Sequence, residues 1–248
     1  MLRSLTLRSL ALVLALSVTA CSQRAPASGD GAREAEDAEV VVDTPPEVPD
    51  DRPVVVFLGT SLTAGLGLAR DEDTYVARVA ELADSAGTPI RAVNAGVSGE
   101  TSAGGLRRLD WVLREPLDML VLELGANDGL RGQDPFATYD NLVEIMRRTR
   151  TRYPGARIVL AGMEAPPNLG PLFTDAFRQL FVDAAEQEGA LLIPFLLEGV
   201  AGVRELNQSD RIHPTAAGHA IMAQNVWAVL GPLVAEMAGT TVGAGAPP

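Results

Sequence analysis

From residue 53 onward, apolar and polar positions alternate between two periods in a regular way. Val54-Val55-Val56-Phe57-Leu58 is a continuous apolar run, the pattern of a strand buried on both faces. Over Thr74–Ser85 the period lengthens, placing Val76, Val79, Ala80 and Ala83 on one face of a predicted helix. The alternation then repeats. Strands are predicted over Ile90–Val93, Met119–Leu124, Ile158–Met163 and Leu191–Phe195, and helices over Ala103–Arg114, Phe136–Arg152, Thr174–Glu188 and Thr215–Met237. Five strands, each followed by a helix, predict an α/β domain with a parallel sheet covered on both faces. Loops at the carboxyl ends of the strands would then form any site.

Residues 1–52 follow neither period. Residues 1–20 carry Arg3 and Arg8, an apolar run from Leu10 to Leu16, and small residues before Cys21. The run is far short of the roughly 20 residues that span a bilayer, and the arrangement predicts an export signal. Residues 21–52 are rich in Ala, Pro, Ser, Gly and acid, the composition of a solvated tether. The folded domain is expected over 53–238, followed by a frayed tail of small residues over 239–248.

Charge sharpens this organisation. The net charge is −12, and residues 22–51 alone hold nine acids against Arg24 and Arg33, so much of the acidity belongs to the tether. A chain of this sign is not expected to bind a nucleic-acid backbone. Cys21 is the only cysteine, which excludes an intramolecular disulfide. The sequence has no Cys pair or His cluster with metal-ligand spacing, and Gly65-Leu66-Gly67 lacks the Lys and the spacing of a phosphate loop. No metal or nucleotide cofactor is therefore expected.

Four loops hold the candidate chemistry. They are Gly59-Thr60-Ser61-Leu62-Thr63 after strand one and Asn94-Ala95-Gly96-Val97-Ser98-Gly99-Glu100-Thr101 after strand two. Gly125-Ala126-Asn127-Asp128-Gly129 follows strand three, and Ser209-Asp210-Arg211-Ile212-His213-Pro214 precedes the last helix. A serine hydroxyl is a poor nucleophile until a neighbouring base accepts its proton. The chain offers only His213 and His219 as the usual base. Asp210 lies three residues before His213, a spacing that in a turn brings a carboxylate to Nδ1 and leaves Nε2 to face Ser61. His219 falls inside the last helical pattern and is expected to be packed or solvated. Glu123 and Asp128 are expected to be structural.

Together, in this order and spacing, the four blocks resemble the SGNH hydrolase superfamily, also called the GDSL family, from about Pro53 to Glu236. Ser98-Gly99-Glu100-Thr101-Ser102 and Asn127-Asp128-Gly129-Leu130-Arg131-Gly132 resemble its bacterial arylesterase, thioesterase and lysophospholipase branch. The resemblance implies Ser61 as nucleophile, with His213 as its base and Asp210 as the supporting carboxylate. It implies an oxyanion hole formed by the N–H groups of Ser61 and Gly99 and the side-chain amide of Asn127. It also places the loop after strand four, with Pro167, Asn168 and Leu169, beside an acyl groove. The fold expected is a flavodoxin-like three-layer α/β/α sandwich, its five-stranded parallel sheet ordered 2-1-3-4-5. One departure stands out: Thr60 occupies the place of the Asp in the family's Gly-Asp-Ser-Leu block.

Val18-Thr19-Ala20-Cys21 in turn resembles the lipobox of bacterial lipoproteins, which implies a lipid on Cys21 and a membrane-anchored domain in the cell envelope. The expected function is hydrolysis of carboxylic esters, thioesters or lysophospholipids through an acyl-enzyme. Two rivals share the features: an O-acetyl deacetylase of envelope polysaccharide, and a non-catalytic envelope lipoprotein. No oligomeric state follows from the sequence.

Overall fold

The computed structural model describes residues 50–239. The expected signal segment, Cys21, most of the tether and nearly all of the tail lie outside those residues. The five strands are β1 (Val54–Gly59), β2 (Arg91–Gly96), β3 (Met119–Glu123), β4 (Arg157–Ala161) and β5 (Leu191–Ile193). All pair in parallel, in the order β2-β1-β3-β4-β5, as the sequence led us to expect. The central strands are apolar throughout because both faces are covered: Val55, Phe57, Leu58 and Met119 through Leu122 are fully buried.

Among the described residues, seven α-helices flank the sheet. They are α1 (Ser61–Ala64), α2 (Tyr75–Ser85), α3 (Ser102–Val112), α4 (Ala126–Leu130), α5 (Pro135–Arg152), α6 (Pro171–Glu188) and α7 (Ala216–Met237). Helix α2 packs on α7, while α5 packs on both α3 and α6, giving one helical layer on each face. Helix α7 is apolar for the same reason as the strands. Met222, Val226, Leu230 and Val234 recur every fourth residue and are fully buried.

Several boundaries differ from expectation. Strand β2 runs on to Gly96 because its ladder with β1 continues to the pair Gly59 and Gly96. Strand β4 stops at Ala161, and a Cβ on Gly162 would lie 2.2 Å from the Pro194 carbonyl, so the chain crosses the end of β5 at close range. Strand β5 stops at Ile193, before Pro194, which has no N–H for a ladder. Helix α6 begins at Pro171, three residues early, since Pro is well suited to a first turn. Helices α1 and α4 are single short turns inside segments expected as loops, too short to show a period.

Candidate active site

The loops at the carboxyl ends of β1, β2 and β3 and the segment before α7 meet at one end of the sheet. Strand β1 delivers Ser61 onto the first turn of α1. Thr60 caps that turn, its hydroxyl accepting from the Leu62 N–H at 3.4 Å. Ser61 is mostly buried, and its Oγ stands 3.0 Å from His213 Nε2. His213 Nδ1 stands 2.6 Å from Asp210 Oδ2. The structure thus brings together three residues separated by as much as 152 positions.

The Asp210–His213 segment is held by its own turn. Asp210 Oδ1 accepts from the N–H groups of Ile212 at 3.0 Å and His213 at 3.1 Å. Arg211 between them takes a positive φ of 62°, the only non-glycine to do so among the described residues. A residue in that region is uncommon and marks local constraint. The His213 ring and these two N–H groups hold the Asp210 carboxyl well below the usual carboxylate range. It is therefore charged at any working pH, and an anion at Nδ1 favours the tautomer that leaves Nε2 free to accept a proton.

Gly99 and Asn127 sit on the neighbouring loops. Gly99 has φ 78°, a conformation that costs glycine nothing, and its carbonyl accepts from Arg131 at 2.9 Å. Among the described residues the N–H groups of Ser61 and Gly99 have no hydrogen-bond partner. Asn127 donates one amide hydrogen to the Glu100 carbonyl at 2.9 Å, which leaves the second available. A hydroxyl, an imidazole, a carboxylate and uncommitted donors in this order can transfer an acyl group.

The remaining sequence candidates fall as follows. Pro167, Asn168 and Leu169 form a single 3-10 turn after β4. Leu169 leans toward the loop after α4, its Cδ2 3.8 Å from where a Cβ on Gly132 would sit. Pro167 and Asn168 are exposed and make no described contact with Ser61 or His213. His219 is packed: its Nδ1 accepts from the Tyr75 N–H at 3.1 Å, and burial lowers its pKa to about 4. Asp128 is structural, accepting from Ser102 Oγ at 2.6 Å and Ser102 N–H at 2.9 Å.

Arg108 was not anticipated from the sequence, and Glu123 was anticipated only as structural. Arg108 on α3 binds the Glu100 carboxylate at 2.6 Å and the Ala95 carbonyl at 2.7 Å, tying the loop after β2 to the strand that feeds it. Glu123, read only as structural, lies directly beneath the Ser61 loop. Its signal was a charged residue ending a strand otherwise apolar on both faces. A cavity of about 620 Å³ lies apart from Ser61, between the first halves of α5 and α6, lined by Phe136, Leu172 and Phe173 among others.

The model of the GDSL-like lipase/acylhydrolase family matches residues 57–221, which include every block described above. The chain belongs to this family. It is thereby placed among the carboxylic ester hydrolases. The chain is 42% identical to esterase TesA of Pseudomonas aeruginosa over 181 residues, covering 73% of this chain and 89% of that protein. It is 33% identical to thioesterase 1/protease 1/lysophospholipase L1 of Escherichia coli K12, covering 73% of this chain and 84% of the relative. A crystal structure of TesA superimposes with a TM-score of 0.69 at 41% identity, covering 73% of this chain and 99% of that one. For a GDSL-family chain, Thr60 is the residue out of pattern.

Proposed function

We propose that this GDSL-family protein is a serine esterase acting on short to medium acyl esters, thioesters or lysophospholipids through an acyl-enzyme on Ser61. One observation carries the reading: Ser61 Oγ, His213 Nε2, His213 Nδ1 and Asp210 Oδ2 follow one another at 3.0 and 2.6 Å across the two hydrogen bonds. As Ser61 Oγ attacks the substrate carbonyl, His213 Nε2 accepts its proton, and Asp210 stabilises the resulting imidazolium. The carbonyl oxygen becomes an anion facing the N–H groups of Ser61 and Gly99 and the free amide hydrogen of Asn127. His213 returns the proton to the leaving alcohol or thiol. A water molecule then attacks the acyl-enzyme, with His213 as base, and releases the carboxylic acid.

The names of the two relatives, an esterase and a thioesterase/lysophospholipase, support this substrate range. The domain works outside the cytoplasm, tethered to a membrane by acyl chains on Cys21. That part rests on the sequence of residues 1–52 alone. The test of the function is hydrolysis of p-nitrophenyl butyrate by the wild type and by Ser61→Ala. Turnover lost in the variant supports the reading, and turnover that survives refutes it.

A further inference from the structure

Beneath the Ser61 loop lies a carboxyl group that the acyl transfer does not use. Glu123 ends β3, and the parallel register sets it beside Gly59, the last residue of β1. It is fully buried. Donors converge on it from both sides of Ser61. The Thr60 N–H donates to Oε2 at 2.8 Å, Thr60 Oγ1 to Oε1 at 3.0 Å, and Thr63 Oγ1 to Oε2 at 2.8 Å. Gly59 makes the approach possible, since a Cβ there would lie 2.5 Å from Oε2 and 2.0 Å from Thr63 Oγ1.

We propose that Glu123 is a positioning residue for this esterase. It holds Ser61 Oγ in line with His213 Nε2 by accepting from Thr60 and Thr63, the residues that flank the nucleophile on the same turn. The proposal rests on Ser61 being the nucleophile. Thr60 and Thr63 meet Glu123 with donors, so these hydrogen bonds favour the carboxylate form.

No cation among the described residues pairs with Glu123. From α2, Tyr75 faces it across Thr63, with the two hydroxyls 2.7 Å apart. His219 on α7 stacks behind Tyr75 and is neutral above about pH 4. Arg108 on α3 reaches only as far as the Gly59 carbonyl, at 3.4 Å. Burial therefore dominates, and raises Glu123 to about 7. Below that pH one oxygen gains a proton and faces donors with a donor of its own. A hydroxyl of Thr60 or Thr63 must then turn from donor to acceptor, so the hydrogen bonds that position the loop rearrange as the medium becomes acidic.

The test measures kcat and KM on a soluble p-nitrophenyl ester from about pH 5 to about pH 9 in full-length wild type, Glu123→Gln and Thr60→Val. Glu123→Gln should lower kcat about tenfold or more with KM nearly unchanged. Its acid limb should be less steep than that of the wild type, because one coupled group no longer titrates. Thr60→Val removes a donor that favours the carboxylate, so its acid limb should move to higher pH. If Glu123→Gln does not fold, Thr60→Val decides alone. Wild-type kcat and an unmoved acid limb in the variants that fold overturn the proposal. Ser61→Ala in the same assay separates the two ideas. Activity retained there refutes the nucleophile, whereas an inactive Ser61→Ala beside unaltered Glu123 and Thr60 variants refutes the positioning role only.

Discussion

The side-chain amide of Asn127 donates to the backbone carbonyl of Glu100 at 2.9 Å, and this bond joins the start of α4 to the loop after β2. Asp128 fastens the same two segments through Ser102, at 2.6 and 2.9 Å. The loops carrying Gly99 and Asn127 are thus braced against each other before any substrate arrives. Donors fixed in advance pay no reorganisation cost when an oxyanion forms. Asn127→Ala should therefore lower kcat by about 10²- to 10³-fold, with a much smaller change in KM. The measurement is steady-state kinetics on p-nitrophenyl butyrate. A rise in KM at constant kcat would place Asn127 in ground-state binding instead.

The proposed mechanism gives Ser61 and His213 one shared proton transfer, so their losses should not multiply. Ser61→Ala and His213→Ala are each expected to remove nearly all esterase activity, and the double variant about as much as either alone. Single-turnover rates of the three variants supply the comparison. Losses that multiply would separate the two residues into different steps.

Two buried groups give stability opposite responses to pH. Glu123 is raised from 4.5 to about 7, so the folded protein keeps a proton that the unfolded chain releases. Its contribution is present below about pH 4.5 and is lost as pH rises through 7. His219 is lowered from 6.5 to about 4, so its contribution is present above 6.5 and is lost as pH falls toward 4. Glu123→Gln removes the first response and keeps the second. Relative to wild type, the variant should gain about 2–3 kcal/mol between pH 5 and pH 8. Urea midpoints at the two pH values provide the check, and a constant difference would contradict the assignment. Whatever the substitution costs the fold at pH 5, it should cost less at pH 8, where the buried wild-type carboxylate is charged.

The strands and the Asp210–His213 pair were legible in the chain because both rest on local patterns, while the sheet order and the place of Ser61 beside His213 came from the family resemblance of the four loops. Apolar runs of five or six residues signal buried strands, and a carboxylate three residues before a histidine needs only a turn. Helices α1 and α4 were not legible, since four or five residues hold no periodicity. Glu123 was visible as an acid at the end of β3, but its proposed role depends on contact with Thr60 across 63 positions and on the pairing that sets Gly59 beside it. Arg108 was hidden similarly: nothing around it in sequence announces the carbonyls of β1 and β2 that its guanidinium reaches.

Chain-length preference tests the turn after β4. Leu169 is 36% exposed and leans toward Gly132, in the loop that follows the helix carrying Asn127. An acyl chain esterified to Ser61 Oγ and running in that direction would cover it. Each methylene buried there adds up to about 0.8 kcal/mol to transition-state binding, or as much as about fourfold in kcat/KM. Activity on p-nitrophenyl esters should accordingly rise from acetyl to a maximum between about butyryl and octanoyl, where the groove is full. Leu169→Ala should flatten that rise and spare the acetyl ester. Phe136→Ala alters the separate apolar cavity between α5 and α6, so it should leave the profile unchanged. A profile that shifts with Phe136 and not with Leu169 would move the acyl site to that cavity. A steep fall beyond acetyl in the wild type would favour removal of O-acetyl groups from envelope polysaccharide, because a pocket sized for acetyl has no room for the next methylene.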